Sequence, residues 1–278
     1  MMERTITRIV PAGTVVDDGD MRLLRALPQS QQVAVGPFVF IDHYRHQGLR
    51  GIGDRPHPHA GIEVVSYLLE GGVEHRDSMG SRDRLEAGDA QFIRAGRGML
   101  HAEQPLSGRH GLQLWISLPP ELKLAEPSYT SIRAADIPRV DGTGSRVYVV
   151  AGDVNGVRGP MALSGGAVFA RLQLDAGAQT ALAVDADPEL SLYVLQGQIE
   201  VGGTTVPAGE LALLGSGTQV RIAARGEDAT EVALIGGQPV QGELLFSGPF
   251  VMDTPERLTQ AKRDFVSGRM GRMEGVPY

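Results

Sequence analysis

Apolar residues along this chain fall in short alternating runs rather than at helical spacing. Leu112, Leu114, Ile116 and Leu118 alternate with Gln113, Trp115 and Ser117, the period-two pattern of a half-buried strand, and Pro119-Pro120 ends it. An apolar-rich strand is expected over 62–70, a turn at Gly71-Gly72 and a polar return strand over 73–77. Another short strand follows over 90–94. The second half repeats the theme, with strands expected over 145–151, 168–174, 190–196, 198–201, 220–223 and 231–235. Between the halves, 123–144 holds Pro127, Pro138 and Gly142-Thr143-Gly144 and reads as a connection between two lobes. One helix is expected near the end. Thr254 is its N-cap, Pro255 takes the first helical position and Glu256 suits the positive end of the helix dipole. Leu258, Ala261 and Phe265 share a face, and Gly268 stops the helix.

The two halves resemble each other. Tyr67-Leu68-Leu69-Glu70-Gly71-Gly72-Val73-Glu74 is echoed by Tyr193-Val194-Leu195-Gln196-Gly197-Gln198-Ile199-Glu200. Further on, Leu85-Glu86-Ala87-Gly88-Asp89-Ala90 is echoed by Val206-Pro207-Ala208-Gly209-Glu210-Leu211. Two ordered matches at similar spacing indicate a duplication, hence two similar antiparallel β-barrels in tandem, divided as 1–130 and 131–278.

Composition narrows the classes of function. The chain has 278 residues and 37 glycines, about twice the usual share, spread between the strand-like runs. It has no cysteine, so disulfides, thiolate metal sites and a cysteine nucleophile are excluded. A net charge of −7 argues against general nucleic-acid binding, which needs a basic field. No apolar run is long enough for a membrane-spanning helix. The start, Met1-Met2-Glu3-Arg4, lacks the apolar stretch of a secretory signal, and a cytoplasmic location is expected.

The chemistry gathers in the first half. All 7 histidines lie between His43 and His110. His57 and His59, spaced by two on a strand, leave the same face, while Pro56 and Pro58 stiffen the backbone and remove its donors. His101 and Glu103 have the same spacing and follow Gly96-Arg97-Gly98, which permits a tight bend. Three imidazoles and a carboxylate suit Fe(II), Mn, Ni, Zn or Cu and are wrong for Ca or Mg. Such a site around a divalent ion is left with one net positive charge and favours a small anionic oxygen ligand. Glu63 shares strand parity with His57 and His59 and is the rival carboxylate. His75, on the return strand, either orients a ligand imidazole or faces solvent. His43 and His46 are expected in a polar loop, lining the barrel mouth or packing the loop. Arg97 is either a turn residue or a cation near an anionic ligand.

Gly51, His57, His59 and Glu63 follow the first cupin motif. The second begins at Gly88 and departs from the general form, with Arg94 where proline is usual and His101 two places late. The runs His57-Pro58-His59-Ala60-Gly61-Ile62-Glu63, Tyr67-Leu68-Leu69-Glu70-Gly71, Ala95 to Glu103 and Gly111-Leu112-Gln113-Leu114-Trp115-Ile116 resemble the pirin family, densely over 36–130 and more thinly to the C-terminus. The resemblance implies an all-β bicupin, two tandem double-stranded β-helix (jelly-roll) barrels with a short C-terminal helix. It implies one metal in the first barrel, most often Fe(II), held by His57, His59, His101 and Glu103. Glu63 then becomes a carboxylate behind the ligands, hydrogen-bonded to one of their imidazoles. In the second barrel the repeat aligns the ligand positions with Ala183, Asp185, Ile222 and Ala224, which cannot rebuild the site. Two activities follow from the resemblance. One is a quercetin 2,3-dioxygenase type of oxidoreductase acting on a small aromatic polyphenol and O2, with Glu103 also serving as general base. The other is a non-enzymatic, metal- or redox-sensing regulator that binds a protein partner. No substrate-binding residue is assigned.

Overall fold

The computed structural model describes residues 2–49 and 51–273. Contacts group the chain less simply than a cut between 130 and 131. One unit takes Val15–Leu23, Asp42–Ala134 and the chain from Val240 onward; the other takes the chain up to Thr14, Leu24–Ile41 and Ala135–Pro239. The main crossing falls between Ala134 and Ala135, and both ends of the chain belong to the unit built from the opposite half. Each unit is a β-structure of the cupin kind.

In the first unit two long strands dominate. Ile62–Asp77 pairs antiparallel with Met99–Ser117 along nearly its whole length, from Ile62 opposite Ser117 to Asp77 opposite His101. Ala90–Arg94 pairs on the other edge of Ile62–Asp77, and Ser128–Ile132 pairs in turn with Ala90–Arg94. The expected hairpin at Gly71-Gly72 is therefore absent. The strand runs straight through, with register shifts at Leu68/Glu70 and Gly71/Val73. Gly71 has φ +80°, and a Cβ there would run into the Gly108 carbonyl oxygen, so only glycine fits this close crossing.

In the second unit the matching glycine, Gly197, does the same work at φ +76°. Glu189–Gln196 lies in a seven-stranded sheet, and Gln198–Val201, just past the glycine, lies in a four-stranded one. The repeated glycine marks a corner in a continuing chain in both copies.

Strands at 90–94, 145–151, 168–174 and 198–201 form where the sequence placed them. The helix is Pro255–Val266, and the Thr254 hydroxyl accepts the Arg257 N–H at 3.2 Å. Its Ala261 and Leu258 pack with Phe250, Met252 and Met270 over Ala60, Leu100 and Ala102. The stretch expected as a connection contains Ser128–Ile132, a short 3-10 turn at Ala134–Asp136, and Arg139–Gly142, which pairs with Ser145–Ala151. His43 and His46 sit on a strand, Phe38–His46, not in a loop. Among the described residues no helix is long and apolar enough to cross a membrane.

Candidate metal centre

Three adjacent strands bring the chemistry onto one face. His57–His59 pairs antiparallel with the start of Met99–Ser117, placing His57 opposite His101 and His59 opposite Met99. On the other edge of that long strand, Asp77 stands opposite His101 and His75 opposite Glu103. Ladder partners point to the same side of a sheet, as do residues spaced by two. His57, His59, His75, Asp77, His101 and Glu103 therefore share one face. Pro58 has no N–H to lose in this edge strand.

The rings of His57, His59 and His101 converge, with centroids 4.3 Å apart for His57–His101 and 5.0 Å for the other two pairs. One ring nitrogen from each lies within 4.8 Å of the others. His57 is half-buried, and its Nδ1 donates to the Arg55 carbonyl at 2.8 Å, leaving Nε2 as a lone-pair donor. His59 and His101 are buried, and no ring nitrogen of either has a hydrogen-bond partner. The Pro249 carbonyl near His59 lies outside ordinary hydrogen-bond geometry. Burial first, then the neighbouring His57, push the His59 imidazole well below its ordinary range. His101 is pushed the same way by burial, then by His57, His59, His75 and Arg109. Both rings are thus neutral at pH 7. Neutral imidazoles buried with bare lone pairs cost free energy unless something accepts those pairs. A transition-metal cation does, so the donor set fits one.

Glu103 is held by its own network. Oε1 takes hydrogen bonds from the Ser66 hydroxyl at 3.0 Å and the Gln91 amide at 2.5 Å, and lies 3.7 Å from His101 Nδ1. Oε2 accepts Arg109 Nη1 at 2.8 Å. Arg109 is buried, donates to His46 Nε2 at 3.0 Å and to the Ile52 carbonyl, and lies 4.8 Å over the Tyr44 ring. Glu103 groups with His75 and His101 within 4.8 Å rather than with the full set of His57, His59 and His101. His75 does not face solvent. It is fully buried, pairs with Asp77 at 3.2 Å and stacks on Tyr129 at 4.1 Å.

Other residues singled out in the sequence have different partners. Glu63 is buried opposite Arg94 and accepts its Nε at 3.0 Å. The arginine that replaces the usual cupin proline thus supplies the countercharge to the rival carboxylate. His43 and His110 share a hydrogen bond at 2.7 Å. Burial, then His110, Arg22 and Arg45, push His43 down to about 3. Arg97 pairs with exposed Glu126. Sequence reasoning did not reach Ser66, Asp77, Gln91 or Arg109. A polar residue breaking an apolar strand run, as Ser66 and Gln91 do, was the available signal for two of them.

Comparison with known proteins places this architecture. The Pirin family model matches residues 20–116, and the Pirin C-terminal cupin domain matches 169–271. Human pirin is 32% identical over 257 residues, covering 90% of this chain and 88% of that protein. The chain belongs to the pirin family. A pirin-like protein of Caulobacter vibrioides is 36% identical and covers 97% of this chain and 100% of its own length. Among solved structures, a quercetin 2,3-dioxygenase from Acinetobacter baumannii superposes with a TM-score of 0.87 at 26% identity, covering 97% of this chain and 99% of that one.

In the second cupin of this pirin, the positions that the repeat aligns with the ligands carry other side chains in other settings. Ile222 and Ala224 are buried in an apolar core with Leu182, Leu192, Val232 and Leu234, while Ala183 and Asp185 are exposed. Aliphatic side chains occupy the interior that imidazoles occupy in the first cupin.

Proposed function

We propose that this pirin is a metal-dependent dioxygenase that opens the oxygen-containing ring of a flavonol such as quercetin. His57, His59, His101 and Glu103 would hold one divalent transition metal, Fe(II) foremost. The observation that carries this reading is His101, fully buried between His57 and His59 with both ring nitrogens unpartnered. The likeness to the Acinetobacter baumannii quercetin 2,3-dioxygenase supports the reaction class.

A bound metal supplies Lewis acidity toward a phenolic hydroxyl and one-electron access to O2. The protein does the rest. The Arg55 carbonyl fixes the His57 tautomer, so that Nε2 faces the site. Glu103 Oε1, on the His101 side of the carboxylate, takes the hydroxyl proton, while Arg109 and Gln91 hold the group in place. Trp115 is only partly buried and stands edge-on to His59 at 5.0 Å, offering an aromatic surface to a planar polyphenol. Ile62, Val64 and Met99 pack in one apolar cluster against which Trp115 lies, backing that surface with groups that exclude water.

Oxygen uptake with quercetin tests this, using protein loaded with Fe(II) beside the His101→Ala variant. Uptake by the wild type and background rates for the variant are expected. Equal rates would contradict the enzyme reading and leave a metal-responsive regulator as the use of the same ligands.

A further inference from the structure

His75 and Asp77 have no part in the three-histidine group. Asp77 is rigidly held, its Oδ1 accepting the backbone N–H groups of Met79 and Ser81, each at 2.9 Å. Its Oδ2 faces His75 Nε2 at 3.2 Å. That pairing keeps the ring proton on Nε2 and leaves Nδ1 as a bare lone pair. Nδ1 is buried and has no hydrogen-bond partner. A carboxylate gripping the far nitrogen is the usual companion of a metal-binding imidazole, because it fixes both tautomer and ring orientation. Tyr129, stacked within 13° of parallel, fixes the ring plane further. One nitrogen of His75 lies within 4.8 Å of donor atoms of both His101 and Glu103. Ser66, Gln91 and Arg109 take at most three of the roughly four lone-pair sites of the Glu103 carboxylate, so capacity for a further partner remains.

We propose that the chain carries a second, inner cation position formed by His75, His101 and Glu103, sharing His101 and Glu103 with the outer position of His57 and His59. It rests on the reading of His101 as metal-directed. Two imidazole nitrogens and a carboxylate oxygen suit a borderline ion such as Co2+, Ni2+ or Zn2+. All three inner residues are buried, whereas His57 of the outer position is half-exposed. The two positions are alternatives for one cation, and Asp77 tunes the inner one through the His75 ring.

The test is Co2+ titration of metal-free protein, followed by calorimetry and by visible ligand-field absorption. Wild type is compared with His57→Ala/His59→Ala, and with that background carrying His75→Ala or Asp77→Asn. Circular dichroism establishes that each variant is folded, and His75→Gln replaces His75→Ala if the latter is not. The double variant is expected to keep a Co2+ site with an altered spectrum. Adding His75→Ala should weaken it on the order of 100-fold or more, and Asp77→Asn by about 10–100-fold. A double variant that binds no Co2+ while the wild type does would overturn the inner position and leave the outer one standing. Residual binding indifferent to His75 and Asp77 would overturn it equally. Failure of the wild type itself to bind Co2+ would sink both positions.

Discussion

The carboxylate of Glu103 and the guanidinium of Arg109 are buried together, 2.8 Å apart. Removing one member of such a pair leaves the other charged and uncompensated, which typically costs about 3–5 kcal/mol. Arg109→Met is expected to lose stability of that size, read from the urea midpoint of the metal-free protein. A loss below about 1 kcal/mol would mean that Ser66 and Gln91 alone satisfy the carboxylate. The shared face of His57, His59, His101 and Glu103 was legible, because residues spaced by two leave a strand on the same side. Arg109, Ser66 and Gln91 were not. Ser66 and Gln91 reach Glu103 from two further strands, and Arg109 from beyond a register shift on its own strand, and no local pattern carries that information. The pairing of Glu63 with Arg94 was out of reach for a related reason. Arg94 faces it across the strand pair, where a lone sequence offers no sign of which residue stands opposite.

Glycine pairs between apolar runs usually signal hairpins, and here that signal misled. A hairpin at Gly71-Gly72 requires 73–77 to fold back on 62–70, yet both segments pair with the same long partner. The glycine serves the crossing of two chains instead. Gly71→Ala places a Cβ against the Gly108 carbonyl in a left-handed conformation. It is expected to cost about 2 kcal/mol or more in chemical denaturation. Wild-type stability in that variant would contradict the corner. The capped helix and the alternating strands were readable because cap chemistry and period-two burial are local. Phe38–His46 was missed because it is buried on both faces along much of its length, which erases alternation.

The duplication was visible in the order of its motifs, and it correctly gave two similar β-units, of which only one is rich in histidine. The exchange of chain ends between the units was not visible, since it depends on which distant segments the first and last residues pack against. One unit's interior is filled with Val, Leu, Ile and Ala, whereas the other buries a cluster of imidazoles. Elemental analysis of wild type and His101→Ala, both purified without a metal-chelating tag, tests the central claim most directly. The expected result is about one transition-metal ion per wild-type chain and little in the variant. Equal metal in both proteins, or a wild type that stays metal-free even when ferrous ion is supplied, would contradict it.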